Sequence, residues 1–438
     1  MPDIYQTTKV FTPTTPARLT FVERVAVQDR LATSLNTPGK QIVVYGHSGV
    51  GKTTLIVNKL HQLYETHITT RCMKGMSFEA MLLDAFSQLE STYVSEQIDK
   101  NQKNISMQLS GDYQSIKGQL GVNKQTESQQ KTTPLIPPQL TPQTLGKFIG
   151  EANGCWVLED FHKVDEAEKQ KISQIMKVFM DLSDEYPTLK IIAIGAVNTA
   201  RQVIEYDEEM KNRVSEIPVQ LMTDDEIKQI IVFGEDRLNI VFPDNLKKQI
   251  IKHSIGMASI CHSLCLFMCL NAGITQTING QKYNFLLKDW KRSLEMLLEE
   301  TSDTIKSAFE KSLKKKRQNK FHHSQIILNA LCDFSDAGAG RIDLLRKIQR
   351  EHKDYPGGGL KAKLDALCEI ANGGILRFNP NSGSYSFRDP NYLAYAQALQ
   401  KGSATEIQEE NFALRLSDLF RDYLKRDRIK IEIVESVV

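Results

Sequence analysis

A short glycine-rich stretch of the chain has the residue types and spacing needed to hold phosphate groups. It follows an apolar run at residues 42–45, ends in Lys52-Thr53 and leads into a helix-like apolar pattern. Glycines allow successive backbone N–H groups to point at one anion, and the N-terminus of the following helix adds partial positive charge. Lys52 would then contact the β- and γ-phosphates of ATP, and the Thr53 hydroxyl would bind Mg²⁺. The predicted nucleotide-binding residues are Gly46, His47, Ser48, Gly49, Val50, Gly51, Lys52, Thr53 and Thr54.

Two adjacent carboxylates, Glu159 and Asp160, follow a second apolar segment at residues 155–158. A magnesium–triphosphate site needs one acid at the metal and, for hydrolysis, a carboxylate that orients or deprotonates water. By position, Glu159 is predicted to bind Mg²⁺ and Asp160 to act on the water. The different lengths of the two side chains could exchange these roles, and the shorter Asp160 predicts slow hydrolysis.

Two residues further along the chain are candidates for contacts with the reacting phosphate. Asn198 follows an apolar strand pattern at residues 190–195, and it could hydrogen-bond the attacking water or the γ-phosphate, or simply form a turn. Arg213 precedes a strand predicted to begin near Ile217, and it could reach a γ-phosphate bound by a neighbouring subunit. Arg201 competes for that role, and an exposed, ion-paired arginine is the alternative for both.

The elements that must position these residues alternate between strand and helix patterns over residues 18–220. Such alternation predicts right-handed crossovers and a parallel sheet, with ligands bound at the carboxyl ends of the strands. The glycine-rich stretch, the two acids and Asn198 all follow predicted strands. Residues 95–144 interrupt the pattern with Gln, Asn, Ser and Thr, and we interpret them as an insertion, either a partner-binding arm or a surface loop.

The composition limits the class of protein. A chain of 438 residues with 41% hydrophobic and 25% charged residues is expected to form two or three globular domains. The net charge of +2 excludes a polycation that binds nucleic acid over its whole surface. The sequence has neither an apolar run of about 18 residues nor a signal-peptide pattern, so we expect a cytoplasmic protein that does not bind a membrane. Residues 1–17 are rich in Thr and Pro and are expected to be mobile.

The order of these motifs resembles that of the P-loop ATPases of the AAA+ superfamily, specifically the origin-recognition-like branch and the related STAND NTPases. The glycine-rich stretch, the double acid, Asn198 and Arg213 correspond to Walker A, Walker B, sensor 1 and the arginine finger. The order of the two acids is reversed relative to most ATPases of this kind. The sequence Phe21-Val22-Glu23-Arg24 is similar to the F-V-G-R-E box of these families, with Glu23 in place of Gly. The resemblance implies that Phe21 and Arg24 lie against the adenine.

The same resemblance implies an α/β P-loop core at residues 18–220, an all-α lid at residues 221–300 and a winged helix at residues 301–400. In the lid, Gly256-Met257-Ala258 stands where STAND proteins have a G-x-P that contacts the nucleotide, and no sensor 2 arginine is visible. Three helix patterns and two short strand patterns at residues 323–387 predict the winged helix. The sequence Phe387-Arg388-Asp389-Pro390, with Tyr392 and Tyr395, is similar to the end of that domain in archaeal STAND ATPases. Residues 401–438 are expected to form a helix and a tail.

The winged helix has two interpretations that the sequence leaves open. Its third helix, with Lys361 and Lys363, could enter a DNA groove while Arg377 and Arg388 bind phosphates, and a nearby basic run could add salt-dependent, non-specific affinity. Alternatively, the domain packs against the ATPase core as a switching element, and the basic run is a solvated helix face. The basic run comprises Lys311, Lys314, Lys315, Lys316, Arg317 and Lys320.

The resemblance implies an ATP-hydrolysing switch that self-associates at the nucleotide site. Bacterial ATPases of this build often act in defence against phage or mobile DNA beside a separate effector protein, and we predict that role here. The alternative is a DNA-binding loader or transposition-type regulator that assembles on duplex DNA. A third class is an ATP-bound scaffold without turnover.

Overall fold

A parallel sheet lies at the centre of the N-terminal part of the chain, in a computed structural model. The structure describes residues 3–64, 66–100, 140–196, 210, 212–314, 321–334, 337–380 and 382–400, without the side chains of residues 90–100 and 288. The five strands are β1 Gln41–Tyr45, β2 His67–Arg71, β3 Cys155–Glu159, β4 Ile191–Gly195 and β5 Val214–Pro218. Their order is β2-β3-β4-β1-β5, and all neighbours run parallel. The prediction of a parallel α/β core is confirmed.

The three central strands, β3, β4 and β1, are buried on both faces, which explains why they are nearly continuous apolar runs in the sequence. Successive side chains of a strand point to opposite faces. Val43 and Trp156 therefore enter one hydrophobic core, while Ile42 and Val44 enter a second core on the other face. Helices must cover both faces to bury these side chains.

The chain divides into two compact units, and the first contains the described residues up to Asn239 together with Gly256–His262. Its last long helix before Asn239 begins at a capping box, in which Thr223 and Glu226 bond each other's backbone N–H groups. That helix ends where Asn239 adopts a left-handed conformation with φ 58°. The helices up to this point are α1 Thr7–Val10, α2 Val25–Asn36, α3 Lys52–Leu63, α4 Phe78–Lys100, α5 Pro142–Glu151, α6 Glu166–Asp181 and α7 Asp224–Leu238.

The N-terminal segment differs from the prediction that residues 1–17 are mobile. Residues 7–10 form α1, and Thr7, Val10 and Phe11 have no exposed surface. The Thr20 hydroxyl donates to the carbonyl oxygen of Val10 at 2.9 Å. We correct the prediction for this reason: the composition of the segment is polar, but its two adjacent apolar residues are both buried against the first unit.

The predicted insertion at residues 95–144 falls mostly on residues 101–139, which lie outside the described residues. Its two ends are described, and both are helical. Residues 95–100 continue α4, and α5 begins at Pro142, with the Thr141 hydroxyl accepting the N–H of Thr144. At both of its described ends the predicted insertion is therefore continuous with a helix of the first unit.

The second unit contains Ile240–Ile255 and the described residues from Ser263 onwards. Within the predicted all-α lid it includes two short strands that pair with each other, in addition to the helices. The elements that complete the chain are β6 Ile240–Val241, α8 Asp244–Ser254, α9 Ala258–Asn271, β7 Tyr283–Asn284, α10 Leu287–Glu300, α11 Asp303–Leu313, α12 His323–Leu331, β8 Ala339–Gly340, α13 Arg341–Glu351, α14 Leu360–Cys368, β9 Leu376–Asn379 and β10 Ser384–Phe387.

Helices α12, α13 and α14 share a hydrophobic core with an antiparallel sheet of order β8-β10-β9. The winged helix at residues 301–400 stays a prediction, as do the domain boundaries. The helix and tail predicted for residues 401–438 lie outside the described residues. None of the helices within the described ranges is both long enough and apolar enough to cross a membrane.

Candidate nucleotide-binding site

The glycine-rich stretch forms the connection between β1 and α3 at the carboxyl edge of the sheet. We call this connection, residues 46–51, the phosphate loop. Gly49 and Gly51 have φ values of 82° and 91°, a left-handed conformation that glycine adopts without strain. Gly51 caps α3, whose first residues are Lys52, Thr53 and Thr54. Val50 is buried in the core, whereas Ser48 is exposed. The loop and the helix N-terminus therefore take the arrangement that the sequence predicted for a phosphate site.

The side chain of Lys52 folds back over this loop. Its Nζ donates to the carbonyl oxygens of Gly46 at 2.9 Å and of His47 at 2.7 Å. The ammonium charge is thus held within the curve of the loop, next to the N-terminus of α3. Both charges favour an anion at this place.

The hydroxyl of Thr53 donates to Oε1 of Glu159 at 2.7 Å, across 106 positions of sequence. Ligands of Mg²⁺ are hard oxygens at about 2.1 Å, so adjacent ligands of an octahedral ion are about 3 Å apart. The hydroxyl and carboxylate oxygens have this chemistry and nearly this spacing. They therefore fit the Mg²⁺ ion that the sequence predicted for Thr53 and Glu159.

A third group at the Glu159 carboxylate was not predicted from the sequence. Arg71 is the last residue of β2 and lies opposite Glu159 in the register of β2 and β3. Its Nε is 3.6 Å from Oε2 of Glu159, and its side chain is 86% exposed. An arginine at the carboxyl end of a predicted strand was the only signal in the sequence, and the strand order was needed to interpret it.

Asp160 occupies the turn that follows β3, in a left-handed conformation with φ 57°. Such a conformation is strained for a residue with a side chain. The carboxylate accepts a hydrogen bond from Nζ of Lys163 at 2.6 Å and is about half exposed. Asp160 is therefore accessible to water beside the hydrogen-bonded pair of Thr53 and Glu159, with Lys163 as its ionic partner.

Two neighbours of Asp160 remain neutral at neutral pH. Burial lowers the pKa of His162, against the effect of the Asp160 carboxylate. Burial, reinforced by Asp160, raises the pKa of the Cys72 thiol to about 12. Neither group supplies a charge or a thiolate nucleophile at this edge of the sheet.

Asn198 lies in residues 197–209, outside the described residues, as does Arg201. Strand β4 ends at Gly195, and its carboxyl end is at the same edge as those of β1 and β3. The predicted contact of Asn198 with water or phosphate stays a prediction.

Arg213 lies at the opposite edge of the sheet from the phosphate loop. Its carbonyl oxygen accepts the N–H of Gln41, the first residue of β1, at 2.9 Å. A strand rises about 3.3 Å per residue, so the length of β1 places roughly 13 Å between this position and the loop. The guanidinium is 62% exposed and 4.0 Å from the exposed carboxylate of Asp181. Arg213 therefore cannot contact a phosphate in the loop of its own chain.

The box that contains Phe21 and Arg24 is connected to α7. Phe21 is partly buried, and the Arg24 side chain is only 10% exposed. Arg24 Nε is 3.5 Å from Oε1 of Glu226, and its Nη2 donates to the carbonyl oxygen of Leu221 at 3.3 Å. Its Nη1 is buried without a hydrogen-bond partner among the described residues. A buried donor of this kind is costly unless a ligand accepts from it.

The first turn of α9 lies directly on the phosphate loop. The N–H of Ser259 donates to the carbonyl oxygen of Gly49 at 3.2 Å. A Cβ on Gly49 would lie 2.2 Å from Oγ of Ser259 and 3.0 Å from Cε of Met257. Ala258 stands where the G-x-P motif has its proline. The residues on either side of it, Met257 and Ser259, are the ones that contact the loop.

A phosphate loop between β1 and α3, with its threonine against an acid at the end of β3, defines a P-loop nucleotide-binding core. The structure is similar to that of a Walker-type ATPase of Pyrococcus abyssi, with a TM-score of 0.50 and 13% identity over 86% of this chain and 96% of that chain. For the ORC2 protein of Aeropyrum pernix the TM-score is 0.46, with 10% identity over 92% of this chain and 100% of that chain. For the RuvB Holliday junction branch migration motor of Thermotoga maritima the TM-score is 0.40, with 12% identity over 86% of this chain and 97% of that chain.

These identities are low, so the similarity establishes the fold alone. No protein-family model matches the chain, and the comparison with curated proteins finds no match. The chain has the α/β fold of a Walker-type, P-loop ATPase.

Proposed function

We propose that the protein is an ATP-binding and ATP-hydrolysing switch that works as an oligomer. The observation that carries the proposal is the 2.7 Å hydrogen bond between Thr53 and Glu159, beside the ammonium group of Lys52 in the phosphate loop. A turn with a purely structural role does not require a lysine and a threonine at the start of α3 together with an acid at the end of β3. A triphosphate with Mg²⁺ uses all three.

Each residue of the site has a distinct role in this proposal. Backbone N–H groups of the loop and Lys52 bind the phosphates, while Thr53 and Glu159 hold Mg²⁺. The metal ion, when bound, neutralises charge that develops on the phosphate oxygens. Arg24 contacts the base through its unpartnered Nη1, with Phe21 beside it.

Asp160 is proposed to orient and deprotonate the attacking water. It lies one residue after the metal-binding Glu159, which supports the assignment of the two acids in this order. Its carboxylate is shared with Lys163, and this contact must loosen before the water can be deprotonated. We therefore expect turnover to be slow.

Changing Asp160 to Asn is expected to lower the rate of phosphate release about 100-fold, because a general base typically contributes 10²–10⁴-fold. The amide keeps the size of the side chain, so ATP affinity should stay within about threefold of wild type. Phosphate release and calorimetry with ATP and Mg²⁺ give the two quantities. An unchanged rate of phosphate release would show that Asp160 is not the general base, so that either another residue has this role or the protein is an ATP-bound scaffold.

Arg71 is expected to oppose metal binding, because its guanidinium and the ion compete for the Glu159 carboxylate. The side chain is largely exposed, so the effect is small: Arg71→Ala should tighten Mg²⁺ binding about threefold in the presence of ATP. Arg71→Lys keeps the charge and should resemble wild type. A Mg²⁺ titration of phosphate release measures this, and weaker binding in the alanine variant would show that Arg71 supports the metal site instead.

Self-association is proposed because Arg213 is exposed and faces away from its own phosphate loop. An arginine in this position can stabilise the transition state only in a neighbouring subunit. Sizing by light scattering should show a larger species with ATP and Mg²⁺ than without nucleotide, and Lys52→Ala should stay small under both conditions. The same size with and without nucleotide would argue against a nucleotide-dependent assembly.

For the C-terminal domain we propose the packing and switching role rather than DNA binding. Three of its basic side chains contact their own domain. Lys363 Nζ lies 5.9 Å from the Tyr355 ring centre, Arg377 Nε donates to the Ser386 hydroxyl at 3.0 Å, and Arg388 Nη2 donates to the Cys368 carbonyl oxygen at 3.4 Å. Most of the basic run, residues 315–320, lies outside the described residues. Salt-dependent binding to duplex DNA with ATP would instead favour the loader or transposition regulator.

A role in defence against phage, with a separate effector protein, is the finer part of this proposal and rests on the family resemblance alone. Cells that express the protein with its partner should reduce phage plaques, and the Lys52→Ala variant should not. Equal protection against phage by the wild type and by Lys52→Ala would show that the defence role does not depend on ATP binding.

A further inference from the structure

The N-terminal strap, residues 5–20, inserts an aromatic ring into the middle of α7. Phe11 has no exposed surface, and it lies where Gly234 leaves room for it. A Cβ on Gly234 would be 2.2 Å from Cζ of Phe11 and 2.5 Å from Cε1. Glycine is unfavourable inside a helix, so its presence at this point is explained by the ring that takes the place of a side chain.

The strap also binds α9 at the end of its first turns. The N–H of Thr12 donates to Nδ1 of His262 at 3.2 Å. The rings of Phe11 and His262 meet edge to face, with 6.2 Å between their centres. Burial lowers the pKa of His262 to about 4, so the imidazole is neutral at neutral pH and Nδ1 is an acceptor. Phe11 and Thr12 thus fasten the two helices α7 and α9 to one segment.

The far end of the strap reaches the helix that follows the phosphate loop. The amide of Asn58 on α3 donates to the carbonyl oxygen of Ala17 at 3.2 Å. The box with Phe21 and Arg24 follows directly. One continuous segment therefore contacts α7, α9 and α3.

The contact of the strap with α9 is one helical turn away from the phosphate loop. His262 and Ser259 are three residues apart and lie on the same side of α9. Ser259 donates its N–H to Gly49 and places its hydroxyl and the nearby Met257 against that glycine. Fixing His262 therefore fixes the turn that rests on the loop.

We propose that Phe11, Gly234 and His262 are positioning residues for the nucleotide site, because the strap holds the first turn of α9 on the phosphate loop and so sets nucleotide affinity. This inference rests on the proposed function in that it takes the loop to bind ATP. The coupling follows packed side chains and hydrogen bonds within the first unit.

The test variant is Gly234→Ala. Its methyl group would collide with the Phe11 ring and displace the strap, while alanine favours the helix more than glycine does. Loss of folding is therefore not the expected effect. We expect the dissociation constant for ATP with Mg²⁺ to rise about tenfold, within the usual range of coupling between sites. Amide hydrogen exchange at residues 257–262 should become at least about tenfold faster without nucleotide, because the turn loses its support.

The controls separate positioning from general stability. Ile4→Ala alters the residue directly before the strap, at a side chain that is 59% exposed, and this variant should bind ATP like wild type. Combining Gly234→Ala with Phe11→Leu removes the ring atoms that meet the new methyl group, and this pair should restore both the affinity and the exchange rate to within about threefold of wild type. All measurements are made well below the melting temperatures of the variants.

Unchanged ATP affinity in Gly234→Ala would overturn the proposal, whether or not the exchange becomes faster. Failure of Phe11→Leu to rescue the variant would overturn it as well. If the wild-type protein binds no ATP, the proposed function fails. The exchange experiment then decides the strap by itself: faster exchange at residues 257–262 supports its hold on the turn, and unchanged exchange overturns it.

Discussion

Replacing Lys52 by alanine is expected to raise the dissociation constant for ATP with Mg²⁺ at least about 100-fold and to abolish measurable phosphate release. In the structure the ammonium group already lies within the loop, on the carbonyl oxygens of Gly46 and His47. A bound triphosphate would present anionic oxygens to it. Two charge-assisted hydrogen bonds of about 1.5–3 kcal/mol each give about 3–6 kcal/mol, and about 1.4 kcal/mol corresponds to a factor of ten in affinity.

A second lysine on the same helix provides the matched control. Lys59 lies two turns further along α3, and its Nζ donates to the side chain of Gln62 at 3.2 Å. Lys59→Ala removes an equal charge from the helix without altering the loop, so it should bind ATP like wild type. Calorimetry compares the two variants. Binding by Lys52→Ala within about threefold of wild type would contradict the proposed phosphate site, because that loss is far below the value of one charged hydrogen bond.

Much of the core could be predicted from the sequence because the chemistry follows strands that are buried on both faces. The run that ends at Glu159 is apolar at consecutive positions, which suits a parallel strand under helices. The phosphate loop and the two acids were therefore predicted at the correct edge of the sheet. Strand β5 begins at Val214, three residues before Ile217, where the strand was predicted to start. Strand ends are less well defined by residue pattern than strand interiors.

Contacts between distant residues could not be predicted in this way. The bond between Thr12 and His262 spans 250 positions, and the pairing of Arg71 with Glu159 depends on the strand order. The N-terminal segment was misjudged because its Thr and Pro content is typical of a mobile chain. The segment is ordered because its two adjacent apolar residues, Val10 and Phe11, are buried, and Gly234 of α7 leaves the space that the Phe11 ring occupies.

Arg213→Ala is expected to lower the rate of ATP hydrolysis by about 10³-fold, at the lower end of what an arginine finger contributes. The affinity for ATP should stay within about threefold of wild type, since Arg213 lies at the amino end of β1 and cannot contact its own phosphate loop. Arg346 is a matched control, because it is a similarly exposed arginine beside a carboxylate, that of Asp343. Arg346→Ala should hydrolyse ATP like wild type. Full activity of Arg213→Ala would remove the residue from the site.

Mixing two inactive variants tests whether Arg213 acts between subunits. Subunits with Arg213→Ala keep Lys52, and subunits with Lys52→Ala keep Arg213. In a head-to-tail assembly each site takes its arginine from one neighbour, and the interface forms at the ATP-bound site of an Arg213→Ala subunit. With equal amounts its neighbour is a Lys52→Ala subunit half of the time, so the mixture should restore about a quarter of the wild-type sites. The measured rate should then rise from near zero to roughly that fraction of wild type. An arginine that acted within its own chain could not be supplied by a neighbour, and the mixture would stay as inactive as its components.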